Sequence, residues 1–252
     1  MGIAPVSPNS RVWLDQFQMS GFVQGSEFSI ENTLADAGNF AASGPRMVPT
    51  NYGHSHNLTM LWSESASNDD GNNMDHVAHS LAGSSNGLHY LAETRGASGL
   101  GAVVTESIVK LARKPISGSK DGLYGLNIDL AGAGEVSRGK VVGRVGATAT
   151  GTYASQTQST YPAGTKYQAV FRVLDVVGSS WSITLDVEGS SNGTAWTTMD
   201  GLSQVISSPG VFRITSTAAE IKPFVRGRAS AINVSTATPS IPIVITAGVV
   251  EV

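Results

Sequence analysis

Runs in which every second residue is apolar, punctuated by turn residues, constrain this chain more than any other feature. Tyr167, Ala169, Phe171 and Val173 alternate with more polar neighbours. Trp181, Ile183, Leu185 and Val187 alternate with Ser182, Thr184, Asp186 and Glu188. Successive strand side chains point to opposite faces, so each run predicts one buried and one wet face. Val177-Gly178-Ser179-Ser180 between them predicts a hairpin connection. Further strands are expected over 211–215, 221–229 and 241–249, with Asp200-Gly201 and Pro209-Gly210 as turns. Pro242 removes a ladder donor, which suits an edge or a strand start. Residues 146–252 therefore predict a compact β-sandwich of six or seven strands.

The first part, residues 1–145, predicts strands over 22–30, 57–63, 101–111, 124–130 and 138–145. One short helix is expected over 75–82. Asp75 can accept from its first-turn N–H groups, Val77 and Leu81 share a face, and Gly83 ends it. The expectation is all-β: a barrel or sandwich with one helix over 1–145, then the sandwich. The boundary falls near 146, where the Gly-, Ala-, Ser- and Thr-rich stretch 146–165 is a linker or the first strand of the second part.

Composition narrows the function. Of the 252 residues only 14% are charged, against roughly 25% in typical soluble proteins. Such a surface suits a protein that lies against copies of itself. The net charge of −3 and the scattered basic residues argue against a nucleic-acid binder, which needs a concentrated basic face. Arg226 with Arg228 fits one face of a strand. Cysteine is absent, which excludes disulfides and thiolate zinc sites. No apolar run approaches the ~18 residues of a membrane span, and residues 1–10 lack the basic and apolar parts of a secretory signal. The expectation is a soluble chain made in a cytoplasm.

Several local patterns resemble chemistry. Gly83-Ser84-Ser85-Asn86-Gly87 and Gly189-Ser190-Ser191-Asn192-Gly193 both match the Gly-x-Ser-x-Gly nucleophile elbow, with Ser85 and Ser191 at the nucleophile position. That elbow needs a strand before and a helix after. Thr194-Ala195-Trp196-Thr197-Thr198 is strand-like, and Asn-Gly is a common tight turn, so both predict turns. His54 and His56 are two apart, so on a strand both rings face one side, a spacing that could hold zinc or nickel. Asp75, His76 and His79 form a second group. Interface or surface histidines are the plainer alternative. The oxygen-rich segment Asn68-Asp69-Asp70-Gly71-Asn72-Asn73 could attract calcium, but the twelfth position from Asn68 is His79, where an EF-hand has Glu. Gly96-Ala97-Ser98-Gly99-Leu100-Gly101 and Gly132-Ala133-Gly134 lack the following helix of a phosphate cradle, and both predict loops. Trp196, just past a turn, could stack on a sugar; Trp181 fits the core. No cofactor is expected, and no set of residues makes an active site.

Asp186-Val187-Glu188-Gly189-Ser190-Ser191-Asn192-Gly193-Thr194-Ala195-Trp196 resembles a hairpin of β-sandwich modules in tailed-phage virion proteins. Phe224-Val225-Arg226 and Ile241-Pro242-Ile243-Val244-Ile245 resemble later strands of such modules. The first part resembles a phage tail-tube domain. Its cues are Gly21-Phe22-Val23, Phe28-Ser29-Ile30, Leu58-Thr59-Met60-Leu61-Trp62, the helix region 75–81, Leu123-Tyr124-Gly125-Leu126-Asn127-Ile128 and Ser137-Arg138-Gly139-Lys140-Val141. The resemblance implies a virion structural subunit, assembled in the host bacterial cytoplasm, with six copies per ring and rings stacked around a lumen. Its partners would be itself, other virion proteins and DNA in passage, with no membrane. The C-terminal Ig-like sandwich would decorate the outside. The alternatives are a head-decoration (cement), neck or baseplate protein, a carbohydrate-binding attachment module using Trp196, and a metal-dependent hydrolase around His54 and His56.

Overall fold

The computed structural model describes residues 11–19, 23–36, 47–61, 88–94, 99–113, 116–117, 125–147, 150–160, 162, 164–173, 181–217, 221–234 and 241–251. Sixteen strands account for most of them. The first half holds β1 (Arg11–Leu14), β2 (Phe17–Gln18), β3 (Val23–Asp36), β4 (Met47–Leu61), β5 (His89–Thr94), β6 (Val103–Arg113), β7 (Ile116–Ser117) and β8 (Gly125–Ala147). The second holds β9 (Gly151–Thr152), β10 (Gln156–Thr157), β11 (Lys166–Val173), β12 (Trp181–Ser190), β13 (Thr197–Ile206), β14 (Gly210–Thr217), β15 (Phe224–Val234) and β16 (Ile241–Val250). The all-β expectation holds. The helix expected over 75–82 lies outside the described residues.

Strand β8 organises the molecule. The two strands expected over 124–130 and 138–145 are one 23-residue strand. Gly132-Ala133-Gly134, expected as a loop between strands, lies inside it, where Ala133–Glu135 bulges out opposite Ile108 alone. Bulges of this kind let a long strand bend without ending. Along one edge β8 pairs with β6 and β7. Along the other it pairs first with β4, through Ser55↔Ala131 to Leu61↔Gly125, and then with β16, through Val250↔Ser137 to Ile241↔Ala147. The result is an 11-stranded sheet, β14-β11-β16-β8-β6-β5-β1-β2 with β3, β4 and β7 branching off, that curls into a half-barrel. Strands β14, β11 and β16 from the second half thus belong to the same sheet as the first half.

The second sheet, β10-β15-β12-β13 with β9 on β15, packs over β11 and β16. Tyr167, Phe171, Val173, Ile243 and Ile245 face Trp181, Ile183, Leu185, Val187, Val225 and Ala229 in one buried cluster, the sandwich core. The expected hairpin between β11 and β12 does not form, because the two strands lie in different sheets. Their apolar faces meet each other across the core rather than side by side. Asp200-Gly201, expected as a turn between strands, sits inside β13, where Met199–Leu202 stands opposite Val187 alone. Pro242 occupies the second position of β16, which is a central strand, so the strand-start reading holds and the edge reading does not. Pro242 pairs only with Gly146, beyond the end of β11, where its missing N–H costs no second ladder bond.

The polar face of β11 is not wet. Gln168 and Arg172 are buried, Arg172 fully. The curl of the sheet turns that face toward Trp13, Val104, Val141 and Val244, a second apolar cluster. Arg172 donates from both terminal nitrogens to Glu106 of β6, at 2.6 and 2.7 Å, and from Nε to the carbonyl of Asp15, at 3.1 Å. Thr246 of β16 donates to the same carboxylate at 2.5 Å. Three strands and the β1–β2 turn therefore meet on one ion pair. Asp15 holds that turn at φ +53°, and its carboxylate accepts from the Tyr90 N–H and contacts His89 Nδ1, each at 2.8 Å. Burying two charges is costly, and a planar guanidinium matched to a carboxylate is the geometry that offsets it.

Gly139 of β8 and Gly248 of β16 face each other in register. A Cβ on Gly139 would lie 2.0 Å from the Ala247 carbonyl oxygen, and one on Gly248 would lie 2.4 Å from that of Arg138. Only two glycines allow the backbones to approach this closely.

Two outcomes follow. Glu106→Gln leaves a buried guanidinium short of its counter-charge and lowers unfolding free energy by about 3–5 kcal/mol, read by urea denaturation; a loss under 1 kcal/mol contradicts this account of the pair. Gly139→Ala pushes a methyl into paired backbone and lowers the thermal midpoint by several degrees, whereas an unchanged midpoint means β8 and β16 can separate at no cost.

Candidate functional site

Three places qualify for attention: the free edge of β3, the histidine pair on β4, and the Trp196 hairpin on the second sheet.

Strand β3 pairs with β4 over its whole length, from Val23↔Met60 to Asp36↔Met47, and with no other strand among the described residues. Strand β4 gains a second neighbour, β8, only from Ser55 onward. Among the described residues, 30–36 and 47–54 therefore form a two-stranded ribbon that leaves the sheet where β8 bulges. Two-stranded ribbons are marginal in water, and an unpaired strand edge presents a row of backbone donors and acceptors to any extended partner. Ile30 on this edge is 52% exposed, flanked by the exposed Glu27 and Glu31.

His54 and His56 do face the same side of β4, with ring centroids 5.9 Å apart and edge-on. His54 Nε2 donates to the Ile108 carbonyl at 3.1 Å. Burial lowers its pKa, and that hydrogen bond opposes the shift only in part. His56 is buried, stacked on Phe28 at 4.5 Å, with Nε2 2.8 Å from Ser107 Oγ. Both Nε2 atoms thus bind β6, and the pair braces the base of the ribbon against the sheet. No group of three or more His, Cys, Asp or Glu able to hold a metal forms among the described residues. Asp75, His76, His79, Ser85 and the segment 68–73 lie outside them.

The Gly189–Gly193 pentapeptide is a turn between paired strands. Ser190 Oγ accepts from the Gly193 N–H at 2.9 Å, and Asn192 Oδ1 accepts from the Thr194 and Ala195 N–H groups at 3.0 and 2.9 Å. Gly193 has φ +74°, which favours glycine. Ser191 is exposed on this turn, and strand β13 follows where an elbow needs a helix. Beyond the turn, the half-buried Trp196 carries the Arg226 guanidinium over its ring, 4.2 Å from the centroid. One ring face is therefore already stacked on a cation, and the arrangement has less room for a sugar than the sequence implied. Arg226 Nε and Arg228 Nη1 donate to the two oxygens of Glu188 at 2.7 and 2.9 Å. Both arginines do lie on one face of β15, and Glu188 is what they share. Burial alone would raise the Glu188 pKa; the hydrogen bonds and charges of Arg228 and Arg226 outweigh it and hold the carboxyl below its ordinary range.

No family model matches the chain, and no curated protein matches it. The chain is similar to solved phage tail and baseplate components. One is the tail tube of phage SPP1, at 12% identity and TM-score 0.39, over 53% of this chain and 78% of that one. Another is the Dit protein of SPP1, described as a hub of the adsorption apparatus in phages infecting Gram-positive bacteria, at 8% identity and TM-score 0.37, over 95% and 98%. A third is the activated baseplate of phage p2, at 7% identity and TM-score 0.35, over 94% and 97%. Likenesses of this degree leave the function to be argued from the chain's own residues.

Sequence reasoning missed the buried polar groups. Arg172 stands in an otherwise nearly apolar run, Tyr167-Gln168-Ala169-Val170-Phe171-Arg172-Val173, and a charge there signals a buried partner. Nothing local identified that partner as Glu106, which lies 66 positions away. Glu188 and Asp186 were assigned to a wet face, but both are buried, with Asp186 accepting from Ser203 Oγ at 2.5 Å.

Because Glu188 titrates lower when folded than unfolded, its contribution is present above the ordinary carboxylate range and fades as pH falls through the depressed value. Glu188→Gln is therefore expected to flatten the acid limb of the stability curve. A variant whose stability falls with acid as steeply as the parent's contradicts the pairing.

Proposed function

We propose that this chain is a structural subunit of a tailed-phage virion, acting by assembly and not by catalysis, and that it forms tail-tube-like rings of identical copies. The observation that carries this is the outer edge of β3, which among the described residues pairs with no strand along Val23–Asp36. A subunit that keeps so long an edge open, on a ribbon held to its sheet by the His54 and His56 contacts, gains most when another chain adds a strand. Head-to-tail contacts of this kind use two different surfaces and generate rings when the rotation closes. The low charge content and the sequence resemblance to tail-tube and sandwich modules support the same reading. Its partners are copies of itself and neighbouring virion proteins, with DNA present only in passage through a lumen.

Ile30 gives the test, since it is exposed on the free edge and contributes little to the fold. The parent protein at high concentration is expected to form rings or tubes by electron microscopy. Ile30→Lys puts a charge on the edge, the device by which natural sheets block such pairing, and is expected to yield monomers with stability changed by no more than about 0.5 kcal/mol. A parent that stays monomeric, or a variant that assembles equally well, contradicts the proposal.

A further inference from the structure

A cavity of about 170 Å³ opens beside the paired strands β8 and β16. It is lined by Arg138, Gly139, Lys140, Gln158, Ser159, Gly248, Val249 and Glu251. Two features of its walls point to a ligand. Arg138 and Lys140 are two apart on β8, so both side chains leave the same face of the strand. Among the described residues neither makes an ion pair or a side-chain hydrogen bond, although the Glu251 carboxylate lines the same cavity and is likewise unengaged. Elsewhere Arg172, Arg213, Arg226, Arg228 and Lys166 each close on a carboxylate.

The floor is equally particular. Gly139 and Gly248 lie side by side there and contribute only backbone to it. Gln158 is fixed at the wall: its Nε2 donates to the Lys222 carbonyl at 2.9 Å, its Oε1 accepts from the Tyr167 hydroxyl at 2.7 Å, and its N–H donates to the Pro223 carbonyl at 2.8 Å. The rim therefore does not depend on Arg138 or Lys140 for its shape.

We propose that this cavity binds a small oxyanion, a phosphate or a carboxylate group, between Arg138 and Lys140 over the Gly139–Gly248 floor. Two cations on one face of β8 supply charge-assisted hydrogen bonds. The single carboxylate of Glu251 lowers the affinity without cancelling the net positive charge. The proposal is independent of ring formation, since the cavity lies within one chain.

The test is titration of the full chain at low ionic strength with inorganic phosphate and, separately, with acetate, read by calorimetry or amide chemical shifts. Saturable binding is expected, and the tighter of the two anions identifies the head group. The Arg138→Ala/Lys140→Ala double variant is expected to weaken binding at least about tenfold. Glu251→Gln removes a like charge and is expected to tighten it severalfold. Lys110→Ala, at an exposed lysine of β6 away from the cavity, is expected to leave it unchanged. Non-saturable binding overturns the proposal. So does an effect of Lys110→Ala equal to that of the double variant, or a Glu251→Gln variant that fails to tighten binding.

Discussion

Strand β8 runs unbroken from one half of the chain into the other, and each half uses it as a sheet member. Its N-terminal portion carries β4, and with it the β3 ribbon; its C-terminal portion carries β16, and through it β11 and β14. The bulge at Ala133–Glu135 separates the two uses. There the ribbon departs and β16 ends. Curling the sheet about this spine turns one face of β11 inward, which is why a strand with arginine and glutamine on that face must find Glu106 and Ser137 for them. The ion pair is thus a consequence of the curl and also fixes it, since Arg172, Glu106, Thr246 and the Asp15 carbonyl cannot all be satisfied in a flat sheet.

How much of this was legible in the sequence follows from what periodicity can and cannot report. Alternation located the strands well, because a side chain's face is fixed two residues at a time. It could not say which strands share a sheet, so β11 and β12 were joined in a hairpin although they face each other across a core. It could not show that 124–130 and 138–145 are one strand, because Gly132-Ala133-Gly134 has the composition of a loop and the geometry of a bulge. It also equated polar with wet. Arg172, Glu106, Asp186 and Glu188 are buried because each meets an oppositely charged or hydrogen-bonding group from a distant segment, and such pairings leave no local trace.

For the candidate site, the sequence placed His54 and His56 on one face and the Ser190–Asn192 turn between two strands, and the structure agrees on both. The β3 edge that pairs with no strand among the described residues was legible only as a general shortage of charge. Its location depends on where β4 acquires a second neighbour, which is a property of β8 and not of β3. The histidines, considered in the sequence for metal, instead hold the root of the ribbon to β6 through Ile108 and Ser107. Binding through a projecting edge asks for this combination: a rigid root and an unpaired strand.

The central claim is that β3 completes its pairing on another copy. Hydrogen exchange of its backbone amides, followed by mass spectrometry across a wide range of protein concentration, addresses that claim directly. The account predicts that protection across Val23–Asp36 rises with concentration while that of the sandwich strands β12 and β15 stays constant. Protection of β3 that is the same in dilute and concentrated protein would show that the edge has no partner among copies of this chain.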